Sequence, residues 1–345
     1  MRDVKQIWQV ATVYVGTIIG AGFATGKEIV TFFSRFGLLG FLGILVAGYL
    51  FVFFGNRIML IAIRIGANDY YEFNRWLFGE RFSKVISFAF FLMLIGVTGV
   101  MLSGAGEVLF QQFHLEKSLG MILTAFLAIV VMWRGLSGLS MVNMLVVPMM
   151  LLFNIILAWI ALTKGFSWSK FVAIPFQEDM WSAMFMPFAY VAFNLALAQS
   201  VFVPLAKAVG NPTVVKRGGI LGGTIITAIL VLGHLSLITF PEFQQLAIPA
   251  AAVMKAVAPF LHAVYLLIIF GEIFSTVIGN AYGIERQLHT RVKLSPATIY
   301  ILLFLSCLLI GQFDYGKLLT TLYPIFGYFS IVFLGMLLVK RTSQK

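Results

Sequence analysis

Apolar residues run along this chain in long blocks, not in the short alternation of strands or the one-sided stripes of surface helices. Ten of these blocks approach or exceed the length needed to cross a hydrocarbon core of about 30 Å. They predict helices over residues 7–33, 38–63, 85–110, 119–132, 141–162, 181–203, 219–240, 260–282, 297–311 and 318–339, the fourth and ninth being short. Polar residues gather between them. Residues 66–82 mix Asp69, Tyr70, Tyr71, Phe73, Arg75 and Trp76, a pattern that suits an amphipathic helix at the cytoplasmic interface. Residues 241–259 set Pro241, Pro249 and Pro259 around short helix-forming pieces, which fits either a lid over an outer vestibule or a plain interfacial loop.

The first block is interrupted where a membrane helix would ordinarily be continuous. Gly16, Gly20, Gly22 and Gly26 fall in its middle. Each glycine costs about 1 kcal/mol against alanine in a helix interior, and backbone freed at that depth must be buried in protein or line a cavity. Gly16-x-x-x-Gly20 and Gly22-x-x-x-Gly26 are also small-residue packing motifs. Gly20 and Gly22, however, lie about 200° apart on an ideal helix, so the two pairs occupy opposite faces, which favours an unwound site over a single packing seam. The sixth block carries irregularities of its own: Pro187, Tyr190, Phe193, Asn194 and Gln199. Dividing the chain near Thr163 leaves five blocks on each side, and an odd number per half forces opposite topologies. The expected fold is an all-α integral membrane protein of ten transmembrane helices. Residues 1–163 and 164–345 would form a five-plus-five inverted repeat in one transmembrane domain, with helices 1 and 6 discontinuous.

Composition excludes a soluble globule: 61% of residues are hydrophobic, 11% are charged and the mean hydropathy is +0.99. With the N-terminus inside, 17 of the 24 Lys and Arg residues fall on cytoplasmic segments, so both termini are expected in the cytoplasm. The formal charge of +11 expresses that asymmetry and does not point to nucleic acid. The first block is expected to be retained, not cleaved as a signal. A lone cysteine, Cys307, excludes disulfides and thiolate metal clusters. The stretch from Gly20 to Glu28 approaches a phosphate loop but places Ala21 at the first glycine position and Glu28 where a magnesium-binding hydroxyl is required. Nucleotide binding is discarded, and with it an organic cofactor.

The eighth block places Glu272, Ser275, Thr276, Gly279 and Asn280 on one helix face. Such a stripe must face protein or water. Adjacent hydroxyls with nearby carbonyls supply neutral oxygen ligands for an alkali cation, and equally they can bond to their own helix's carbonyls. Glu28, Glu107 and Glu272 are the intramembrane carboxylates, a rare and costly class. Glu28 fits an interfacial or gate residue, Glu107 a substrate-amine ligand or a cap on a packing face, and Glu272 a proton carrier beside the cation position. His234, His262, Asn143 and Asn154 are expected in packing or hydrogen bonding.

The run Gly16-Thr17-Ile18-Ile19-Gly20-Ala21-Gly22 resembles the unwound first helix of LeuT-fold secondary transporters of the amino acid–polyamine–organocation superfamily. Extended through Phe23, Ala24, Thr25, Gly26, Lys27 and Glu28, it resembles the YkvI group of bacterial membrane proteins. The resemblance implies a Na⁺ between the carbonyls of Gly16 and Ile19, the backbone of Glu272 and the hydroxyls of Ser275 and Thr276. It also implies a substrate carboxylate on the amides of Gly20, Ala21 and Gly22, as anions suit helix N-termini. Helix 3 would complete the substrate site with Ser103 and Glu107 beside Gly96 and Gly99, and helix 6 with Tyr190, Phe193 and Asn194. Phe23 stands where members with a second sodium site have an asparagine, so one coupling ion is expected and the ring is free to pack on substrate.

These readings converge on a cation-coupled symporter, with Na⁺ as the coupling ion, for a small amino acid or amino acid-like solute. It would work by alternating access in a bacterial inner membrane, with a small-molecule substrate and the bilayer as its partners and no covalent chemistry. The alternatives are proton-coupled transport of an organic amine or compatible solute, and a ligand-binding channel or sensor built on the same fold. A divalent-metal transporter is disfavoured, because the break holds no Asp and no His or Cys cluster supplies ligands.

Overall fold

The computed structural model describes residues 2–166, 168–172, 177–240, 242, 244–246, 248–289, 292–313 and 315–340, and its regular structure is entirely helical. In chain order the helices are α1 (Arg2–Ile18), α2 (Ala21–Ala24), α3 (Lys27–Phe32), α4 (Gly37–Ile65), α5 (Tyr70–Phe113), α6 (Lys117–Met132), α7 (Gly135–Gly165), α8 (Trp168–Val172), α9 (Gln177–Val209), α10 (Pro212–Thr239), α11 (Pro249–Val257), α12 (His262–His289), α13 (Pro296–Ile310) and α14 (Tyr315–Val339). Among the described residues, seven helical segments are long and apolar enough to cross a membrane, and α6 and α13 are shorter apolar helices. Each of the ten apolar blocks lies on one of these elements, the first being divided among α1, α2 and α3.

Helix ends follow local chemistry. Asp69 caps α5 by accepting from Glu72 N at 2.8 Å, and Glu72 Oε2 reaches back to Asn68 N at 2.8 Å, two reciprocal bonds of the capping-box kind. Asn211 and Ser295 cap α10 and α13, each followed by a proline at the first helical position. The amphipathic stretch after α4 is the first part of α5, which bends at Gly79 (φ 83°). It buries Tyr70, Phe73 and Leu77 and leaves Arg75 exposed.

Packing partners follow a simple exchange rule. α1 packs on α10 as α9 packs on α4, α1 on α7 as α9 on α14, and α5 on α6 as α12 on α13, while α4 pairs with α10 and α5 with α12. These pairings exchange when each of the ten apolar segments is replaced by the one five places later, while others are unequal, α7 packing on α10 far more than α14 on α4. Small residues permit the closest of these approaches. A Cβ on Gly218 or Gly222 of α10 would stand 2.6 Å from Val10 Cβ or 2.9 Å from Tyr14 Cβ of α1, so α1 is seated directly against the α10 backbone.

The sixth block does not break, which corrects one expectation. α9 runs uninterrupted through Pro187 and Pro204. Asn194 Nδ2 donates to Tyr190 O at 2.9 Å and Gln199 Nε2 to Ala196 O at 2.8 Å, so both amides serve their own intact helix. Proline removes one donor, and neighbouring helices can hold the surrounding turns in place. Pro187 lies over Gly43 of α4, where a Cβ would meet its Cγ at 2.8 Å.

Candidate functional site

The first block breaks where the glycines fall. α1 ends at Ile18, Ile19 and Gly20 are non-helical, and the single turn α2 is followed by Gly26 in the left-handed region at φ 81° before α3 begins. That backbone favours glycine, and a side chain there would also press on Leu237 and Ala250.

At the end of α1 the carbonyls of Gly16 and Ile19 turn toward α12. Ser275 Oγ donates to Gly16 O at 3.2 Å and to Glu272 O at 2.9 Å, while Thr276 Oγ1 donates to Ile19 O at 3.0 Å and to Glu272 O at 3.2 Å. Five oxygens from two distant segments, Gly16, Ile19, Glu272, Ser275 and Thr276, therefore meet in one buried cluster. All five are neutral and hard, and the hydroxyl lone pairs can serve a cation once the protons turn outward.

The immediate surroundings add two groups: Asn143, which the sequence leaves to packing or hydrogen bonding, and the carboxyl of Glu272, which it singles out. Asn143 of α7 is fully buried against Gly16, in the space a Cβ there would need, and among the described residues neither its Oδ1 nor its Nδ2 has a hydrogen-bond partner. Both carboxyl oxygens of Glu272 are likewise buried without a partner. A polar residue in an apolar helix is visible in a sequence, but the close approach of Gly16 to Asn143 is tertiary.

The expected substrate residues divide. Ala24 N bonds to Gly20 O at 2.8 Å, the first turn of α2, so the amides of Gly20, Ala21 and Gly22 precede that bond. A Cβ on Gly20 would stand 3.3 Å from Thr276 Oγ1 and 3.2 Å from Met101 Cε, so the break touches the oxygen cluster on one side and α5 on the other. Phe23 is buried in α2; the Ala21 side chain lies outside the described residues. Tyr190 packs its ring on Phe32 and Phe33 at 5.0 and 5.1 Å, bringing α9 against the outer half of the broken helix. Phe193 instead packs on Tyr323 of α14 at 4.6 Å, and Asn194 is engaged with its own helix.

Helix α5 presents a different face from the one expected. Ser103 Oγ donates to Phe313 O at 3.2 Å, and Gly99 lies against Ile310 of α13. Glu107, one turn beyond Ser103, follows the same face and is half-buried. Ser103 and Glu107 are thus carried away from the break, and Met101, about 200° around the helix from Ser103, takes the position beside Gly20.

The connection after α10 packs over the part of the broken helix that follows α2. Ala250 N donates to Thr25 O at 2.9 Å, and Lys27 Nζ donates to the carbonyls of Gln244 and Gln245 at 3.1 and 3.3 Å. α11 buries Ala250, Ala251, Val253 and Met254 against the bundle, packing on α7, α10 and α12.

The fold has counterparts among solved structures. The chain is similar to the nucleobase-cation-symport-1 family transporter Mhp1 (TM-score 0.68, 13% identity, covering 92% of this chain and 74% of that one). It is similar to a Na⁺-coupled sialic acid symporter (TM-score 0.64, 12% identity, 96% and 77% covered) and to the Eremococcus coleocola manganese transporter (TM-score 0.64, 15% identity, 97% and 78% covered). These similarities define a multi-pass membrane protein of the LeuT fold.

No family model matches the chain. Its sequence is 42% identical over 337 residues to the membrane protein YkvI of Bacillus subtilis (strain 168), covering 98% of this chain and 96% of that protein, and the chain belongs to the YkvI family. It is also 22% identical over 334 residues to YyaD of the same organism, with 96% of each covered.

Proposed function

We propose that the protein is a cation-coupled secondary symporter, with Na⁺ as the coupling ion, for a small amino acid or amino acid-like solute. The observation that carries this reading is the convergence of Gly16 O, Ile19 O, Glu272 O, Ser275 Oγ and Thr276 Oγ1 where α1 ends. A Na⁺-coupled symporter among the similar structures supports it. The amides of Gly20, Ala21 and Gly22 receive the solute's carboxylate, with Phe23 beside it and Tyr190 among the other solute contacts. Because α2 is a single turn, the free amides themselves, and not a helix macrodipole, carry that role. The two halves, residues 1–163 and 164–345, act as inverted repeats in a bacterial inner membrane with both termini cytoplasmic, and the solute crosses without covalent change.

Proton coupling is the second reading, favoured by the unpartnered Glu272 carboxyl beside the cluster. Uptake of labelled amino acids and amines into proteoliposomes under imposed Na⁺, H⁺ or no gradient separates the two. Na⁺-driven, saturable uptake with counterflow is expected, and Thr276→Val, which removes only the hydroxyl, is expected to weaken sodium activation by about tenfold while leaving the protein folded. Uptake indifferent to sodium would remove the ion assignment. Conduction without counterflow would make the protein a channel.

A further inference from the structure

Glu28 of α3 lies inside the protein, only 2% exposed, and not at the interface its sequence position suggested. Its neighbour Lys27 directs its ammonium to the Gln244 and Gln245 carbonyls, and the Arg35 guanidinium stands over the Phe36 ring at 4.5 Å. Among the described residues no cationic side chain pairs with Glu28, and the one ion pair described is Arg75 with Glu80. Glu28 faces Tyr190 of α9 closely enough for the two groups to interact electrostatically, with Tyr323 of α14 next in line. Among the described residues, no hydrogen bond of ordinary geometry reaches Glu28 Oε2 or the Tyr190 hydroxyl.

A buried carboxylate retained at membrane depth is paired, or it meets a partner that arrives. Here the surroundings are those of a cation receptor. Around the Tyr190 ring stand Phe32 and Phe33 at 5.0 and 5.1 Å and Phe51 at 5.9 Å, and aromatic faces attract cations. The phenol oxygen and carboxyl oxygen left over are two acceptors for N–H donors. We propose that Glu28 and Tyr190 bind an ammonium group of the transported solute. Six residues and the left-handed turn at Gly26 separate Gly22 from Glu28, about 9 Å of rise for six residues of regular helix. A separation of that order is spanned by an amine at the far end of a side chain and not by an α-amino group beside the carboxylate. The solute class is therefore an amino acid with a distal ammonium, an inference that rests on the reading that its carboxylate meets the amides of the α1–α2 break.

The test is equilibrium binding to the purified full chain in detergent, using L-lysine against L-norleucine, which lacks the distal amine. Wild-type protein is expected to prefer lysine by about tenfold or more. The isosteric, neutral Glu28→Gln is expected to abolish that preference, and Tyr190→Phe to reduce it several-fold. Absence of the preference in the wild type, or its survival in Glu28→Gln, overturns the proposal. If Glu28→Gln does not fold, an unchanged preference in Tyr190→Phe overturns the pairing and a reduced one upholds it. Loss of gradient-driven uptake with this binding pattern intact would remove the symport reading alone; intact uptake without the pattern would remove the ammonium site alone.

Discussion

At the residue scale, Gly16 and Gly20 do different work although they belong to one motif. A Cβ at Gly20 presses on Thr276 Oγ1 and on the flexible end of Met101, which can yield by a few tenths of an ångström. One at Gly16 falls on the Asn143 side chain. Gly16→Ala is therefore expected to lower stability by about 1–3 kcal/mol, as overpacking does, and Gly20→Ala by less. Asn143→Ala in the Gly16→Ala background should restore most of the loss, a coupling read directly from thermal unfolding of the four proteins in a double-mutant cycle. Additive losses would mean that the two side chains do not compete for the same space. The residues alone offered a glycine break that frees carbonyls and the adjacent Ser275 and Thr276 hydroxyls; that Gly16, Ile19 and Glu272 face those hydroxyls was implied by the resemblance to LeuT-fold transporters. Met101 and Asn143 were not legible as site neighbours. Nothing in an apolar helix states which face meets which neighbour, and the polar Ser103–Glu107 face of α5 was taken up by α13 and its following turn.

At the scale of elements, the contrast between α1 and α9 shows what local sequence can and cannot decide. Four glycines with one forced left-handed turn leave the first helix no continuous alternative. A single proline with polar neighbours does, because Asn194 and Gln199 can bond within an intact helix as readily as they can mend a broken one. The same broken helix organises the outer loop, since Thr25 O and the Lys27 ammonium anchor the segment that leads into α11. Lys27→Met keeps the aliphatic stem and removes both donor contacts, a loss of about 1 kcal/mol for a partly exposed group. Amide exchange over residues 244–257, and at Ala250 above all, should accelerate by about fivefold while α4 and α10 keep their protection. Unchanged exchange would show that the apolar face of α11 alone holds the cover in place.

At the scale of the whole molecule, the exchange of packing partners separates two mechanical units: α1, α4, α9 and α10 pack on one another, and α5 pairs with α12, which in turn engages α6 and α13. The proposed ion cluster lies on the seam, with Gly16 and Ile19 on one unit and Glu272, Ser275 and Thr276 on the other. An ion there binds best when the two sides stand at one spacing, so its binding energy is necessarily a force on their relative position. Movement is therefore expected between units, not within them. Spin labels at Lys216→Cys on α10 and Lys293→Cys beyond α12, both at exposed positions, can be placed on a Cys307→Ser background, Cys307 being the lone native cysteine. Their distance distribution should shift on adding sodium and stay put on adding potassium, and Thr276→Val should blunt the sodium response without altering the sodium-free distribution. A shift produced equally by both salts would detach the motion from the cluster, because ionic strength alone acts on exposed charges within a Debye length and not on five buried neutral oxygens.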